Sequence, residues 1–262
     1  MAVGLNKGSG SGKKVFVFDY DDTLAWNECY YTRAETRLVN YMVEQFFPKC
    51  PKVFDIVQVF EKKDLANVKK YGLSTKRFPT SWLETYDHFC KEYGHQSSDW
   101  EKDEVESLAK TAFHVRPGLV QGAEETLTYL ASTGDKLVLL TKGDSELQQK
   151  KLSLNSMSRW FKESDTRIVD LYKGDAFRKI MEESEAEFGK DGFTAYSVGN
   201  SYKSDITPAI DAGMKGIYVP FDTWYFDRKK RGDKTQKQKD TELGKLVVLD
   251  SIDGIKTNYK ML

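Results

Sequence analysis

Lys13-Lys14-Val15-Phe16-Val17-Phe18-Asp19-Tyr20-Asp21-Asp22-Thr23-Leu24 is the stretch on which the fold turns. Apolar residues, β-branched and aromatic in alternation, run straight into a cluster of carboxylates. A run of that kind predicts a strand buried on both faces, as in a parallel sheet covered by helices. The carboxylates cannot follow it into the core, because an unpaired buried charge is too costly. The strand therefore ends near Phe18, and the acids stand at its carboxyl end, where open α/β sheets place their ligands.

Asp19 and Asp21 are two residues apart, so they lean the same way where the strand leaves the sheet. One carboxylate can attack while the other handles a proton, provided their surroundings separate their pKa values. A divalent cation beside them keeps one ionised and draws in an anionic substrate. The pair thus points to metal-assisted phosphoryl chemistry with an aspartate nucleophile. The plainer alternative is an acidic turn in which Asp22 caps a helix N-terminus.

Composition narrows the field. A chain of 262 residues can bury a sizeable core, as one large domain or a core with an insert. Its 40 basic residues balance 40 acidic ones, so no global field recruits nucleic acid or an anionic membrane. No apolar run is long enough to span a bilayer, and no apolar signal core is expected at the N-terminus. Cys29, Cys50 and Cys90 form no C-x-x-C pair and suit free thiols in a reducing, cytoplasmic setting; each is read as a packing residue. His88, His95 and His114 lack metal-ligand spacing on a helix face.

Outward from the strand, residues 1–12 end in Gly8-Ser9-Gly10-Ser11-Gly12, a flexible lead-in or a cloning remnant. A phosphate-binding P-loop is excluded here: Lys7 stands where its first glycine belongs, and Lys14 where Ser or Thr is needed. Segments near 26–46, 53–70, 80–93 and 98–113 read as helices. Leu38, Tyr41, Met42, Gln45 and Phe46 form a stripe at helical spacing. Pro48 and Pro51 break the first helix from the second, Pro79-Thr80-Ser81 marks the third start, and Ser97-Ser98-Asp99 the fourth. Trp26, Tyr30, Tyr31, Trp82 and Tyr86 read as core aromatics, although they can also touch a substrate. Lys62, Lys63, Lys69, Lys70, Lys76 and Arg77 read as a solvated basic face.

Arg116-Pro117-Gly118 is a sharp re-entry, after which strands and helices alternate. Strands are expected at 136–141, 166–169, 194–198, 216–219 and 246–249, with helices over 121–132, 144–155, 174–189 and up to 213. Such alternation means parallel strands joined by right-handed helical crossovers. The basic run 228–240 lacks interleaved aromatics and reads as a solvated loop rather than a nucleic-acid patch.

Several strands end in the residue types that phosphoryl transfer needs. Thr141 brings a hydroxyl and is followed by Lys142-Gly143-Asp144 at a helix start, where backbone N–H groups favour an anion. Lys173 brings a positive charge just before a helix. Asn200 and Asp205, on the loop after another strand, bring oxygen ligands. With Asp19 and Asp21 they converge on one crevice.

These residues resemble the motifs of the haloacid dehalogenase superfamily of phosphatases and phosphotransferases. Asp19-Tyr20-Asp21-Asp22-Thr23 fits its D-x-D-x-T motif, Thr141 its Thr or Ser motif, Lys173 its lysine motif, and Gly199-Asn200-Ser201-Tyr202-Lys203-Ser204-Asp205 is similar to its acidic motif. Asn200 departs from the pattern, since many members carry an aspartate there. The resemblance implies a Rossmann-like parallel sheet with helices on both faces and an inserted helical cap. The core would comprise 13–25 and 116–262, and the cap 26–115. It also implies roles: Asp19 as nucleophile, Asp21 as general acid and base, and Thr141, Lys142 and Lys173 on the phosphoryl oxygens. Mg²⁺ would be held among Asp19, the Asp21 backbone carbonyl, Asn200 and Asp205. Dehalogenases of the superfamily lack the second aspartate, so Asp21 favours hydrolysis of a small phosphorylated substrate. A phosphomutase of the same superfamily is the near alternative. A phosphoryl-accepting signalling module or a non-catalytic scaffold stands further off, and oligomeric state is left open.

Overall fold

The structure, a computed structural model, describes residues 12–114, 118–221 and 234–262. The lead-in up to residue 11, the re-entry at Arg116-Pro117 and the basic run 228–233 lie outside the described residues. In chain order, strand β1 (Lys13–Phe18) leads through a tight turn into four helices: α1 (Glu28–Gln45), α2 (Val53–Tyr71), α3 (Arg77–Tyr93) and α4 (Asp99–Lys110). The alternating part follows as α5 (Ala123–Ser132), β2 (Lys136–Lys142), α6 (Ser145–Leu154), β3 (Thr166–Val169), α7 (Gly174–Phe188) and β4 (Phe193–Gly199). It ends with α8 (Thr207–Asp211), β5 (Lys215–Tyr218), α9 (Lys234–Glu242), β6 (Leu246–Val248) and α10 (Gly254–Asn258).

The strands form one sheet in the order β3-β2-β1-β4-β5-β6, and every pairing is parallel. β1 lies inside it and is covered on both sides, as its unbroken apolar run requires. Phe16 and Phe18 face Leu127 and Leu130 of α5, Leu152 of α6 and Ile255 of α10. Val15 and Val17 face Phe177 and Ile180 of α7 and Ala209 of α8. Each fully buried side chain of this size contributes about 1.5–3 kcal/mol, so β1 is the best-anchored element beneath the acidic turn.

The four helices after β1 enclose a hydrophobic cluster of their own. Leu38, Met42 and Phe46 point into it, with Tyr41 and Gln45 at its edge. Trp82 and Tyr86 are core, and Trp82 stacks on Phe60 at 4.2 Å between ring centroids. The chain's way into this unit and its way out run side by side: Trp26 N donates to Gly118 O (3.0 Å), and Val120 N to Leu24 O (2.9 Å).

Several readings need correction. α3 starts at Arg77, so Pro79 sits inside its first turn, where a helical N–H has no partner and proline is tolerated. Arg77 is buried against Asp64 rather than solvated, whereas Lys62, Lys69, Lys70 and Lys76 are exposed as expected. Cys90 is a packing residue, but Cys29 and Cys50 are exposed. The described end of the basic run is helix α9, not a loop. Its Asp240 is buried because the Tyr202 hydroxyl and Gln236 Nε2 both donate to it. No helix among the described residues is long and apolar enough to cross a membrane.

Candidate active site

The turn after β1 decides where each acid points. Leu24 N and Ala25 N both donate to Tyr20 O (2.9 and 3.0 Å), so the chain curls back on itself. Thr23 thereby comes to lie over Asp19, and its hydroxyl donates to Asp19 Oδ2 (3.1 Å) while accepting from Asn200 N (3.1 Å). Asp22 takes a left-handed conformation (φ 57°), which Asp tolerates better than most residues. Its carboxylate turns away to accept from Asn27 N (2.8 Å) and Glu28 N (3.0 Å) at the start of α1. Asp22 thus reaches the N–H groups that open α1 from a distance in sequence, whereas the N-cap position the plainer reading gave it is held by Asn27. Burial pushes its carboxyl up to about 6, against the pull of those N–H groups.

Asp19 is 8% exposed, at the junction of β1 and β4. Lys173, which precedes α7, donates to Asp19 Oδ1 (2.5 Å) and to Asp205 Oδ1 (2.8 Å) and is itself 2% exposed. Asp205 Oδ2 accepts from Ser201 N (2.9 Å). Burial raises the Asp19 carboxyl to about 7, opposed by the Lys173 ammonium and reinforced by the Asp205 charge. Burial works to lower Lys173, but the Asp19 and Asp205 carboxylates outweigh it and hold the ammonium above its ordinary range. Gly199 makes room for this cluster: a Cβ there would stand 2.4 Å from Asp205 Cβ.

Asp21 belongs to a second group. Lys151 Nζ lies 2.9 and 3.1 Å from its two oxygens, and Gln148 Nε2 donates to Oδ2 (2.8 Å). Lys151 also donates to Asn27 Oδ1 (2.8 Å). Burial works to lower the Lys151 ammonium, and the Asp21 charge more than offsets it, so the net shift is upward.

Both groups open on one cleft of about 170 Å³. Thr141, at the end of β2, lines it with a buried hydroxyl that has no hydrogen-bond partner. Lys142 follows, its Nζ donating to Ser204 Oγ (2.7 Å). Asp144 caps α6 by accepting from Leu147 N (3.1 Å). The helical unit supplies the opposite wall, including Tyr31, Glu35, Leu73 and Arg77.

The donor set suits a small hard cation. Asp19, Asp21, Asn200 and Asp205 offer oxygen atoms at the cleft, the donor type such a cation takes. Among the described residues, however, no group of three Asp, Glu, His or Cys side chains can hold a metal alone. Both Asp205 oxygens are engaged and Asp21 faces Lys151, so backbone and amide oxygens have to complete any coordination.

The structure therefore brings Asp19, Asp21, Thr141, Lys142, Asn200 and Asp205 to one cleft, with Lys173 buried beneath Asp19. Sequence reasoning missed Lys151, Gln148 and Asn27 altogether. It left Tyr31 in the core and Arg77 in solvent. The one available signal was spacing: Gln148, Lys151 and the apolar Leu152 share one face of α6.

Residues 13–213 match the family model of haloacid dehalogenase-like hydrolases. The chain belongs to that family and is a hydrolase by membership. A haloacid dehalogenase-like family hydrolase from Xanthomonas campestris is similar in structure, with 20% identity and a TM-score of 0.72 over 97% of this chain and 93% of that one. A Thermotoga maritima protein assigned as a beta-phosphoglucomutase aligns with 15% identity and a TM-score of 0.56, over 95% of this chain and 99% of that one. A 2-haloacid dehalogenase from Pseudomonas syringae pv. Tomato DC3000 aligns with 15% identity and a TM-score of 0.53, over the same shares of 95% and 99%. At these identities the likeness speaks for the fold. No curated protein matches the sequence.

Proposed function

We propose that this hydrolase is a Mg²⁺-dependent phosphatase of a small phosphorylated metabolite, acting through an aspartyl phosphate on Asp19. The observation that carries the reading is Asp21 in the same cleft as the buried Asp19. Halide leaves carbon without a proton, whereas an alkoxide leaving phosphorus needs one, and a second carboxylate supplies it.

In the first half-reaction an Asp19 oxygen attacks phosphorus. The bond to the leaving oxygen breaks with its electron pair, and protonated Asp21 gives that oxygen its proton. In the second half-reaction Asp21 takes a proton from a water molecule whose oxygen attacks the phosphorus. The bond from phosphorus to Asp19 breaks, and the carboxylate is restored. The Thr141 hydroxyl donates to a phosphoryl oxygen, and Lys173 and Lys142 add positive charge near it. Asp19, Asn200 and the Asp21 backbone carbonyl would hold Mg²⁺, which would supply positive charge to offset that of the phosphoryl oxygens. Asp205 keeps Lys173 in place. The helical unit α1–α4 serves as a cap that excludes water and selects the leaving group. Exposed free thiols at Cys29 and Cys50 suit a reducing compartment such as the cytosol.

The test is phosphate release from p-nitrophenyl phosphate and a panel of phosphorylated metabolites, with Mg²⁺ and with chelator, for the parent and Asp19→Asn. Metal-dependent turnover that Asp19→Asn abolishes is expected. Folded, Mg²⁺-loaded protein that turns over no panel member would overturn the reading.

A further inference from the structure

We infer that Lys151 and Gln148 are positioning residues that fix the Asp21 carboxylate for proton transfer, an inference that rests on the phosphatase reading above. Asp21 sits on a turn past the end of its strand, and its side chain is 22% exposed to the cleft. An aspartate so placed has several staggered rotamers open to it. A displacement of about 1 Å at a reacting group costs roughly 100-fold in rate. Something has to select one rotamer, and α6 provides it.

The two donors come from one face of α6. Gln148 donates through Nε2 to Asp21 Oδ2 (2.8 Å) and to Lys142 O (2.8 Å), so two acceptors fix which way its amide faces. Gly143 (φ 136°) allows this approach, since a Cβ there would stand 3.1 Å from Gln148 Nε2. Lys151 reaches both Asp21 oxygens and is 4% exposed. It is anchored from behind by the residue between the two acids: the Tyr20 hydroxyl donates to Lys151 O (3.1 Å) and accepts from Asn155 Nδ2 (2.9 Å). Its Nζ also donates to Asn27 Oδ1 (2.8 Å), the residue just before α1. The carboxylate is thus tied to α6, which starts just after Thr141, and to the root of the helical unit.

A buried lysine needs a partner in any fold, so an ion pair that merely fastens α6 to the turn is the competing account. That account requires some carboxylate for Lys151. It does not require Gln148 to converge on the same carboxylate, nor that carboxylate to be the one facing the cleft beside Asp19.

The two accounts separate in pre-steady-state hydrolysis of p-nitrophenyl phosphate with Mg²⁺. p-Nitrophenolate leaves without a proton, so only the second half-reaction, in which Asp21 takes a proton from water, depends on the carboxylate's placement. Lys151→Met is expected to lower kcat about 10–100-fold. KM should fall with it, and a burst approaching one p-nitrophenol per enzyme should appear. Lys151→Arg recovers part of the loss. In an Asp21→Asn background Lys151→Met costs nothing further, because the lysine acts through the missing carboxylate. Where Lys151→Met fails to fold, Gln148→Leu runs the same cycle. Losses that multiply in the double variant, or a reduced rate without a burst, overturn the inference and leave the phosphatase reading standing. A parent without turnover removes both.

Discussion

Replacing Thr141 by valine should move stability and activity in opposite directions. The Thr141 hydroxyl is buried at the end of β2 with no hydrogen-bond partner. A buried polar group left unsatisfied costs about 1–3 kcal/mol. Valine keeps the β-branched shape that a strand prefers and removes the orphan. The variant should therefore be as stable as the parent or more so, by about 1 kcal/mol, which is roughly 2–4 °C in Tm for a chain of this size. In the proposed phosphatase the same hydroxyl would donate to a charged phosphoryl oxygen, a bond worth about 1.5–3 kcal/mol. At about 1.4 kcal/mol per decade, its loss lowers kcat/KM roughly 10–150-fold. The assay pairs thermal melting, with and without inorganic phosphate, with p-nitrophenyl phosphate kinetics. Phosphate should raise the parent's Tm more than the variant's, and Thr141→Ser should retain most of the activity. A variant that melts several degrees lower with kcat/KM intact would refute the reasoning, since the hydroxyl would then be structural.

Gly199→Ala forces a Cβ to 2.4 Å from Asp205 Cβ; a loss of about 1–3 kcal/mol in urea denaturation is expected, and an unchanged midpoint would show that the loop gives way freely. Arg77→Met leaves Asp64 buried without its cation, which should cost about 3–5 kcal/mol. Arg77→Met/Asp64→Leu should regain most of it, because the Ser81 hydroxyl still has Arg77 O at 2.9 Å as acceptor; a double variant no better than the single one contradicts this. Burial works to raise the Glu101 carboxyl, but the Ser98 N–H and hydroxyl and the His95 ring outweigh it and hold it below its usual range. A depressed folded pKa adds stability above the unfolded value, and that stability is lost as pH falls through the folded one. Urea midpoints from pH 6 to 3 should thus fall less steeply for Glu101→Gln than for the parent, and parallel slopes would refute the assignment.

What was legible in the sequence was what local chemistry dictates. β1 announces itself because a strand buried on both faces must be apolar throughout, and the acids mark where it stops. Ser97-Ser98-Asp99 marks the start of α4 for the same reason: Ser98 is the N-cap, and its hydroxyl accepts from Glu101 N within one helical turn. The misread residues depend on partners far along the chain. Arg77 belongs to Asp64 across the α2–α3 pair, and nothing in the basic run 62–77 says which member turns inward. Lys150 and Lys151 are chemically identical neighbours, as are Gln148 and Gln149, yet Lys151 and Gln148 face Asp21 while Lys150 and Gln149 are exposed. Only the docking of α6, marked by the buried Leu152, separates them.

The same consideration explains how three carboxylates within four residues come to three different surroundings. Asp19 continues the strand direction into the core and meets Lys173, so it stays buried and directed at the cleft floor. Asp22, through its left-handed backbone, turns its carboxylate to the N–H groups that open α1. Asp21, between them, faces the cleft and gains donors only because α6 brings Lys151 and Gln148 to it. Residue type alone makes the three interchangeable. Their difference in environment is imposed by one tight turn and one helix. A substitution that reshapes the turn at Thr23, whose hydroxyl ties Asp19 to the Asn200 loop, therefore disturbs Asp19, Asp21 and Asp22 together.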